Sequence, residues 1–218
     1  MKFAIITLFP DMFDKVFNIS MLLKAQEKNL ASFELIDLRN FGIGPRRQVD
    51  DTPYGGGDGM LMKPEPIFAA VEHAKTILKN AEVILMTPQG KLWNQETVRA
   101  FAAQPENKEY IIICPHYEGY DERILSLVDH QVSIGKYILT GGELPAMIVV
   151  DSLVRLIPGV LGGATSAEIE SFSDGDNLEY PQYTRPEEFR GQKVPEVLLS
   201  GHHGLVAKWR ADHSKTAS

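Results

Sequence analysis

Two short, nearly continuous apolar runs constrain this chain most: Glu82–Thr87 (EVILMT) and Glu109–Cys114 (EYIIIC). A strand with one wet face alternates apolar and polar residues. Runs that fail to alternate belong to strands buried on both faces, and these occur in parallel sheets covered by helices. The flanking pattern agrees. Lys2–Leu8 and Phe33–Leu38 read as further strands. Asp11–Lys28, Pro64–Leu78, Asn94–Ala103 and Glu143–Leu156 read as helices, with Pro66 and Pro145 in first turns, where proline is tolerated. Strand–helix alternation of this kind predicts an α/β fold with a mainly parallel sheet.

After Pro158 the texture changes. Gly159–Asn177 is rich in Gly, Ser and Thr and reads as a linker, and a helix-like stretch follows from Pro195 through Arg210. A length of 218 residues suits one large domain with a small appendage. The lone Cys114 excludes an intramolecular disulfide and a cysteine zinc cage. No apolar run approaches the roughly 18 residues of a membrane span. The start, MKFAIITLFPDMF, does not read as a secretory signal, because its apolar run ends at Pro10 and Asp11. The expectation is a soluble cytoplasmic protein. A net charge of −7 argues against bulk binding to nucleic acid. Yet the last 18 residues hold Lys208, Arg210 and Lys215 against Asp212 alone. That locally basic tip is either a solvated helix end or a contact for a polyanion.

Glycine marks the candidate site. Tyr54–Met60 (YGGGDGM) permits positive φ and close backbone approach. It is not a P-loop, since no Gly-Lys-Ser/Thr follows, and no strand precedes it as a dinucleotide fingerprint requires. Three more loops follow apolar runs: Thr87–Lys91 (TPQGK), Pro115–Tyr120 (PHYEGY) and Ser133–Pro145 (SIGKYILTGGELP). Each alone reads as a turn. Together, at the carboxyl ends of parallel strands, they point to a site gripping a flat heterocycle through backbone groups. Candidate acid–base groups are Glu118, Asp121, Arg123 and Arg155, all of which also suit helix ends, and Glu168, Glu170, Asp174 and Asp176 in the linker. His202 and His203 are adjacent and lack metal-ligand spacing.

The order of motifs then becomes recognisable. TLFPDMF, VDDTPYGGGDGMLMKPEP, TPQGK, HYEGYDERI, SIGKYILTGGELPAM, DSLVRLIPGVLG, SFSDG, LEYPQYTRPEEFRG and KVPEVLLSGHH run from Thr7 to His203. In this the chain resembles the bacterial TrmD-type tRNA (guanine-N1)-methyltransferases of the SPOUT class. The resemblance implies an α/β fold, mainly a parallel sheet with a deep trefoil knot, plus a small helical C-terminal domain. The implied boundaries are 1–160 for the knotted domain, 161–177 for a linker acting as lid, and 178–218 for a tRNA-binding domain. S-adenosylmethionine would be held by Thr87, Pro88, Gln89 and Gly90, by Tyr117, Glu118 and Gly119, and by Ser133, Ile134, Gly135, Tyr137, Leu139, Gly141, Gly142 and Pro145. Tyr54, Gly55, Gly59, Ser171, Arg185, Lys208 and Arg210 would contact a tRNA with guanosine at position 37. The family works as a homodimer with shared sites. It suggests a Mg²⁺ requirement acting on charge and positioning, with no residue here assigned as a metal ligand.

Guanine N1 carries a proton at neutral pH, so its methylation needs a base, and charge then builds on O6. The resemblance assigns the base to Glu170, with Glu168 in reserve, and the O6 partner to Arg155. The chain departs from the family at Glu170, where Asp is usual, and at Pro115 for Gly, Lys136 for Asp and His202 for Asn. The stretch after Pro181 is also shorter than the family's. The alternatives are a homologue that binds cofactor and tRNA without catalysis, and a nucleotide-dependent oxidoreductase suggested only by glycine loops and parallel strands.

Overall fold

The two apolar runs lie at the centre of a five-stranded sheet in the computed structural model, which describes residues 1–103, 108–162, 170–172 and 175–216. In chain order its strands are β1 (Lys2–Thr7), β2 (Ser32–Asp37), β5 (Glu82–Leu92), β6 (Glu109–Ile113) and β7 (His130–Ser133). Their spatial order is β2-β1-β6-β5-β7, and every pairing is parallel. Side chains of β6 alternate between two cores. Tyr110, Ile112 and Cys114 pack with Phe3, Ile5 and Ile84 beneath α1 (Asp11–Phe17), α2 (Ser20–Glu27), α4 (Gln95–Ala102) and α5 (Glu143–Val154). Ile111 and Ile113 face the other way, with Ile6 and Leu85, against Ile67, Ala70, Val71 and Ala74 of α3 (Pro64–Ile77). Both faces are dry, which is why the runs do not alternate. Asn94 caps α4 by accepting from the Thr97 N–H, worth about 1 kcal/mol.

Three local expectations are corrected. The single helix over Asp11–Lys28 is two helices, with Ile19 extended and Ser20 at φ 52. The reason is packing: Phe13 and Phe17 share a stripe that, in a continuous helix, would not include Leu22 and Ala25, yet all four are buried. Thr87–Lys91 is not a loop after a finished strand. Met86 and Lys91 both pair with Val132, so Thr87–Gly90 swing out of β5 and the chain rejoins the ladder at Lys91–Leu92. Gly90 permits this, because a Cβ there would fall into the Gln131–Val132 backbone. Finally, β7 (HQVS) is short and polar and gave no apolar run to read.

Between β2 and α3, a two-residue antiparallel ladder, β3 (Asp50–Asp51) with β4 (Leu61–Met62), carries the Tyr54–Met60 glycine loop. The chain divides into two units, Met1–Gly162 and Gly163–Ser218. The second contains β8 (Asn177–Leu178), β9 (Glu188–Phe189), β10 (Gln192–Lys193), α6 (Glu196–Leu199), α7 (His203–His213) and β11 (Lys215–Thr216). β9 pairs with β10, and β8 with β11. It is therefore mixed and not purely helical. The helix expected over Pro195–Arg210 is interrupted where Gly201 takes φ 68. None of the described residues in this unit is fully buried. Its aromatic contacts are Trp209 stacked on His213 at 4.1 Å and edge-on to Tyr183 at 6.3 Å.

Cys114 is fully buried, and burial together with the Glu143 carboxylate pushes its thiol well up. Iodoacetamide is therefore expected to leave the native protein unlabelled and to label it once on unfolding in guanidinium; mass spectrometry reads both. Leu85→Ala is expected to destabilise the chain by about 2–5 kcal/mol in urea titration, since Leu85 is wholly enclosed.

Candidate functional site

Because β5, β6 and β7 are parallel, the segments leaving their carboxyl ends meet on one side of the sheet. There they enclose a cavity of about 380 Å³. Thr87 and Pro88 form one wall. Tyr117, Glu118 and Gly119 form a second. Ser133, Ile134, Gly135, Tyr137, Leu139, Gly141, Gly142 and Pro145 form the third. Of the expected cofactor set, Gln89 and Gly90 do not line the cavity. The Gln89 N–H turns back to Thr87 Oγ1, and Gly90 lies against β7. The cavity also includes Met86, Pro115, His116, Tyr120, Val132, Ile138 and Thr140. His116, Tyr120, Ile138 and Thr140 sit within the quoted motifs, so their neighbours were a usable signal. Met86 and Val132 look like any core strand residue in sequence.

Backbone docking joins the walls. Gly142 N–H donates to the Pro115 carbonyl at 2.7 Å, and His116 bridges Gly141. A Cβ on Gly142 would come within 2.8 Å of Cys114 Cα and 2.9 Å of Pro115 N. The residue there must be glycine if this approach is to survive. The Tyr120 hydroxyl donates to Thr87 Oγ1 at 3.2 Å, tying the first wall to the second. Tyr117 holds φ 61, a left-handed conformation uncommon outside glycine, with its ring edge-on to His116. Burial and the Asp50 carboxylate push its phenol up against the opposing pull of Arg39.

The glycine loop abuts the second wall. Glu118 N–H donates to the Met60 carbonyl at 3.0 Å, and Met62 N–H to the Gly119 carbonyl at 2.9 Å. Gly59 sits against the Glu118 side chain, where a Cβ would collide. Gly55 and Gly59 take φ 89 and 80, and Tyr54 is wholly exposed. Asp121 caps the short 3₁₀ turn Glu122–Leu127 and pairs with Arg123 at 2.7 Å, so those two groups serve the turn.

Arg155 is the C-cap of α5 and half-buried. The remaining expected residues belong to the second unit. Glu170 is partly buried, and Ser171 Oγ accepts from the Glu179 N–H at 3.0 Å. Arg185 is exposed and precedes a cis peptide bond to Pro186. Lys208 is exposed on α7, and the Arg210 guanidinium lies 4.7 Å from the Tyr180 ring centre. Glu168 and Asp174 lie outside the described residues. Among the described residues, no group of three or more His, Cys, Asp or Glu side chains could hold a metal ion. No helix among them is long and apolar enough to cross a membrane.

Fold and site together define a parallel α/β protein with a cavity walled by glycine-bearing segments at the strand ends. The sequence profile of the family described as tRNA (Guanine-1)-methyltransferase TrmD matches residues 1–218, and the chain belongs to that family. A protein of Geobacillus kaustophilus named tRNA (guanine-N(1)-)-methyltransferase is 53% identical over 215 residues, covering 98% of this chain and 86% of its own length. A protein of the same name from Pelotomaculum thermopropionicum is 54% identical over 218 residues, covering 98% and 85%. The fold is similar to the crystal structure of tRNA (m1G37) methyltransferase from Aquifex aeolicus, with a TM-score of 0.81 and 38% identity, covering 98% of this chain and 88% of that one. The oxidoreductase alternative falls with these matches.

Gly142→Ala is expected to break the docking of the third wall on Pro115 and to lower stability by about 1–3 kcal/mol in urea titration. An unchanged midpoint would mean that the walls can separate freely.

Proposed function

We propose that this chain is an S-adenosylmethionine-dependent tRNA (guanine(37)-N1)-methyltransferase that acts as a homodimer in the cytoplasm. The observation that carries the reading is the cavity built by three walls, two of them lined by glycine, in a member of this family. The cavity proposed for the cofactor is drawn tight by two glycines, since a Cβ on Gly135 would strike the Tyr137 ring and one on Gly141 the Glu143 carboxylate and the His116 ring. Thr87, Pro88, the Tyr117–Gly119 segment and the Ser133–Pro145 segment would hold the cofactor. When bound, the cofactor supplies an electrophilic methyl group on a positively charged sulfur. Gln89 and Gly90 would act indirectly, by shaping the excursion from β5.

The protein's own part is proton and charge handling. Glu170 accepts the N1 proton of the target guanine as the base turns nucleophilic. Arg155 opposes the charge that develops on O6, which a guanidinium does well. Glu170 is one methylene longer than the usual Asp, so the lid must sit slightly further back for the same hydrogen bond. Tyr54, Gly55, Gly59, Ser171, Arg185, Lys208 and Arg210 would contact the tRNA. Mg²⁺, which is commonly held by one or two carboxylates together with substrate phosphates, would act here on charge and positioning.

A homodimer is supported by unpartnered apolar surface. α5 is apolar nearly all round, a pattern belonging to covered helices, yet Leu144 and Ile148 are about half exposed, as are Phe9 and Met12 nearby in the fold. In this reading the lid of one subunit closes over the cofactor of the other, and the segments around the cavity are threaded as a trefoil knot.

Methyl transfer from labelled cofactor is expected to a transcript with guanosine at position 37 and not to one with adenosine there. Binding of both ligands without transfer would favour the catalytically silent alternative that Glu170 suggests. Glu170→Ala is expected to lower kcat about 10²–10⁴-fold. Arg155→Ala is expected to lower kcat far more than cofactor affinity, because its charge partner exists only in the transition state. Equal losses in both would contradict that role. Charged substitution of Leu144 and Ile148 is expected to yield inactive monomers by sedimentation and activity assay, and an active monomer would refute the shared site.

A further inference from the structure

Glu143 is a carboxylate with 2% exposure that plays no part in the chemistry above and does not line the main cavity. Burying a charge is costly unless donors surround it. Its position in the first turn of α5 helps, since a helix N-terminus favours negative charge. Its Oε1 accepts from the hydroxyl of Thr7, itself fully buried, at 2.9 Å. That hydroxyl in turn accepts from the Phe9 N–H at 2.9 Å. Oε2 has a different neighbour, His116 Nδ1, at 3.6 Å. This nitrogen is buried and makes no hydrogen bond among the described residues. A buried ring nitrogen without a hydrogen bond therefore faces a carboxylate oxygen at a separation just beyond hydrogen-bond length.

We propose that Glu143 is a positioning residue: it holds His116 with the proton on Nδ1 and so sets the second wall of the cofactor cavity. His116 lines that cavity, its backbone bridges Gly141, its N–H meets Met62 Sδ at 3.1 Å, and its ring contacts Phe9 and Tyr117. One carboxylate thereby connects the end of β1, the start of α5 and the Pro115–Tyr120 segment. With Nδ1 protonated, Nε2 is left as an acceptor for a ligand hydroxyl or amine. The other charged or titratable groups nearby are Arg39, which lies over the Phe9 ring, Asp50, which acts on Tyr117, and Cys114, which feels Glu143. The significance for cofactor rests on the methyltransferase reading; the tautomer does not.

The test is ¹⁵N NMR of the imidazoles in the full chain at pH 8, with His116 assigned through His116→Asn. The Nδ1–H tautomer is expected in the wild type, shifting toward Nε2–H in Glu143→Met. S-adenosylmethionine is expected to bind about tenfold more weakly to Glu143→Met and to His116→Ala. His116→Asn, which keeps a donor near the Nδ1 position, should restore most of that loss. Should Glu143→Met fail to fold, the wild-type tautomer and the two His116 variants still decide. An Nε2–H tautomer in the wild type, or His116→Ala binding as tightly as the wild type, overturns the proposal. Wild-type protein that binds no S-adenosylmethionine would instead sink the functional reading, while leaving the tautomer measurement, made without cofactor, to stand.

Discussion

Burial of β6 on both faces is the constraint on which the rest of the structure depends. With Tyr110 through Cys114 wholly enclosed, helices must cover each side of the sheet. Strands in such a sheet run parallel, so every connection returns across a face and every strand ends at the same edge. The cavity lies at that edge. Its place follows from the sheet before any particular side chain in its walls is considered.

The shape of the cavity depends on a second kind of contact, backbone against backbone. Gly90 against β7 and Gly142 against Cys114–Pro115 are approaches that a Cβ would prevent. They draw the three segments into a single enclosure, and the Tyr120–Thr87 hydrogen bond and the Thr7–Glu143 pair reinforce it from the sides. Such contacts make a preformed site, which spares a ligand part of the entropy of ordering loops. They also accommodate Pro115: its carbonyl, not its missing N–H, makes the joining hydrogen bond.

Charge has to be considered locally and not as a total. A net −7 is compatible with an RNA substrate if a few cations are placed well, and an electrostatic contact acts over about one Debye length, roughly 8–10 Å. Arg185, Lys208 and Arg210 lie in a unit that buries none of its described residues fully, so its side chains are largely available to solvent. Arg210, over Tyr180, shows one way such a cation is held in place.

Much of the fold was legible in the chain. Apolar runs identified the inner strands, helical spacing identified most helices, and glycine at the strand ends marked the walls of the cavity. What could not be read locally was anything set by a distant partner. Val132 pairs with both Met86 and Lys91, so the excursion Thr87–Gly90 is decided by a strand some forty residues away. β7 is polar and short because it is an edge strand, and only its neighbour makes it a strand. The bend between α1 and α2 follows from which residues the sheet buries, and the meeting of Thr7, Glu143 and His116 joins positions 136 residues apart. By itself the sequence determined the class of fold and the segments that build the site, because periodicity and glycine act on near neighbours. Tertiary structure alone decided which of those residues face the cavity and which hold it in place, because that depends on contacts made only once the chain has closed on itself.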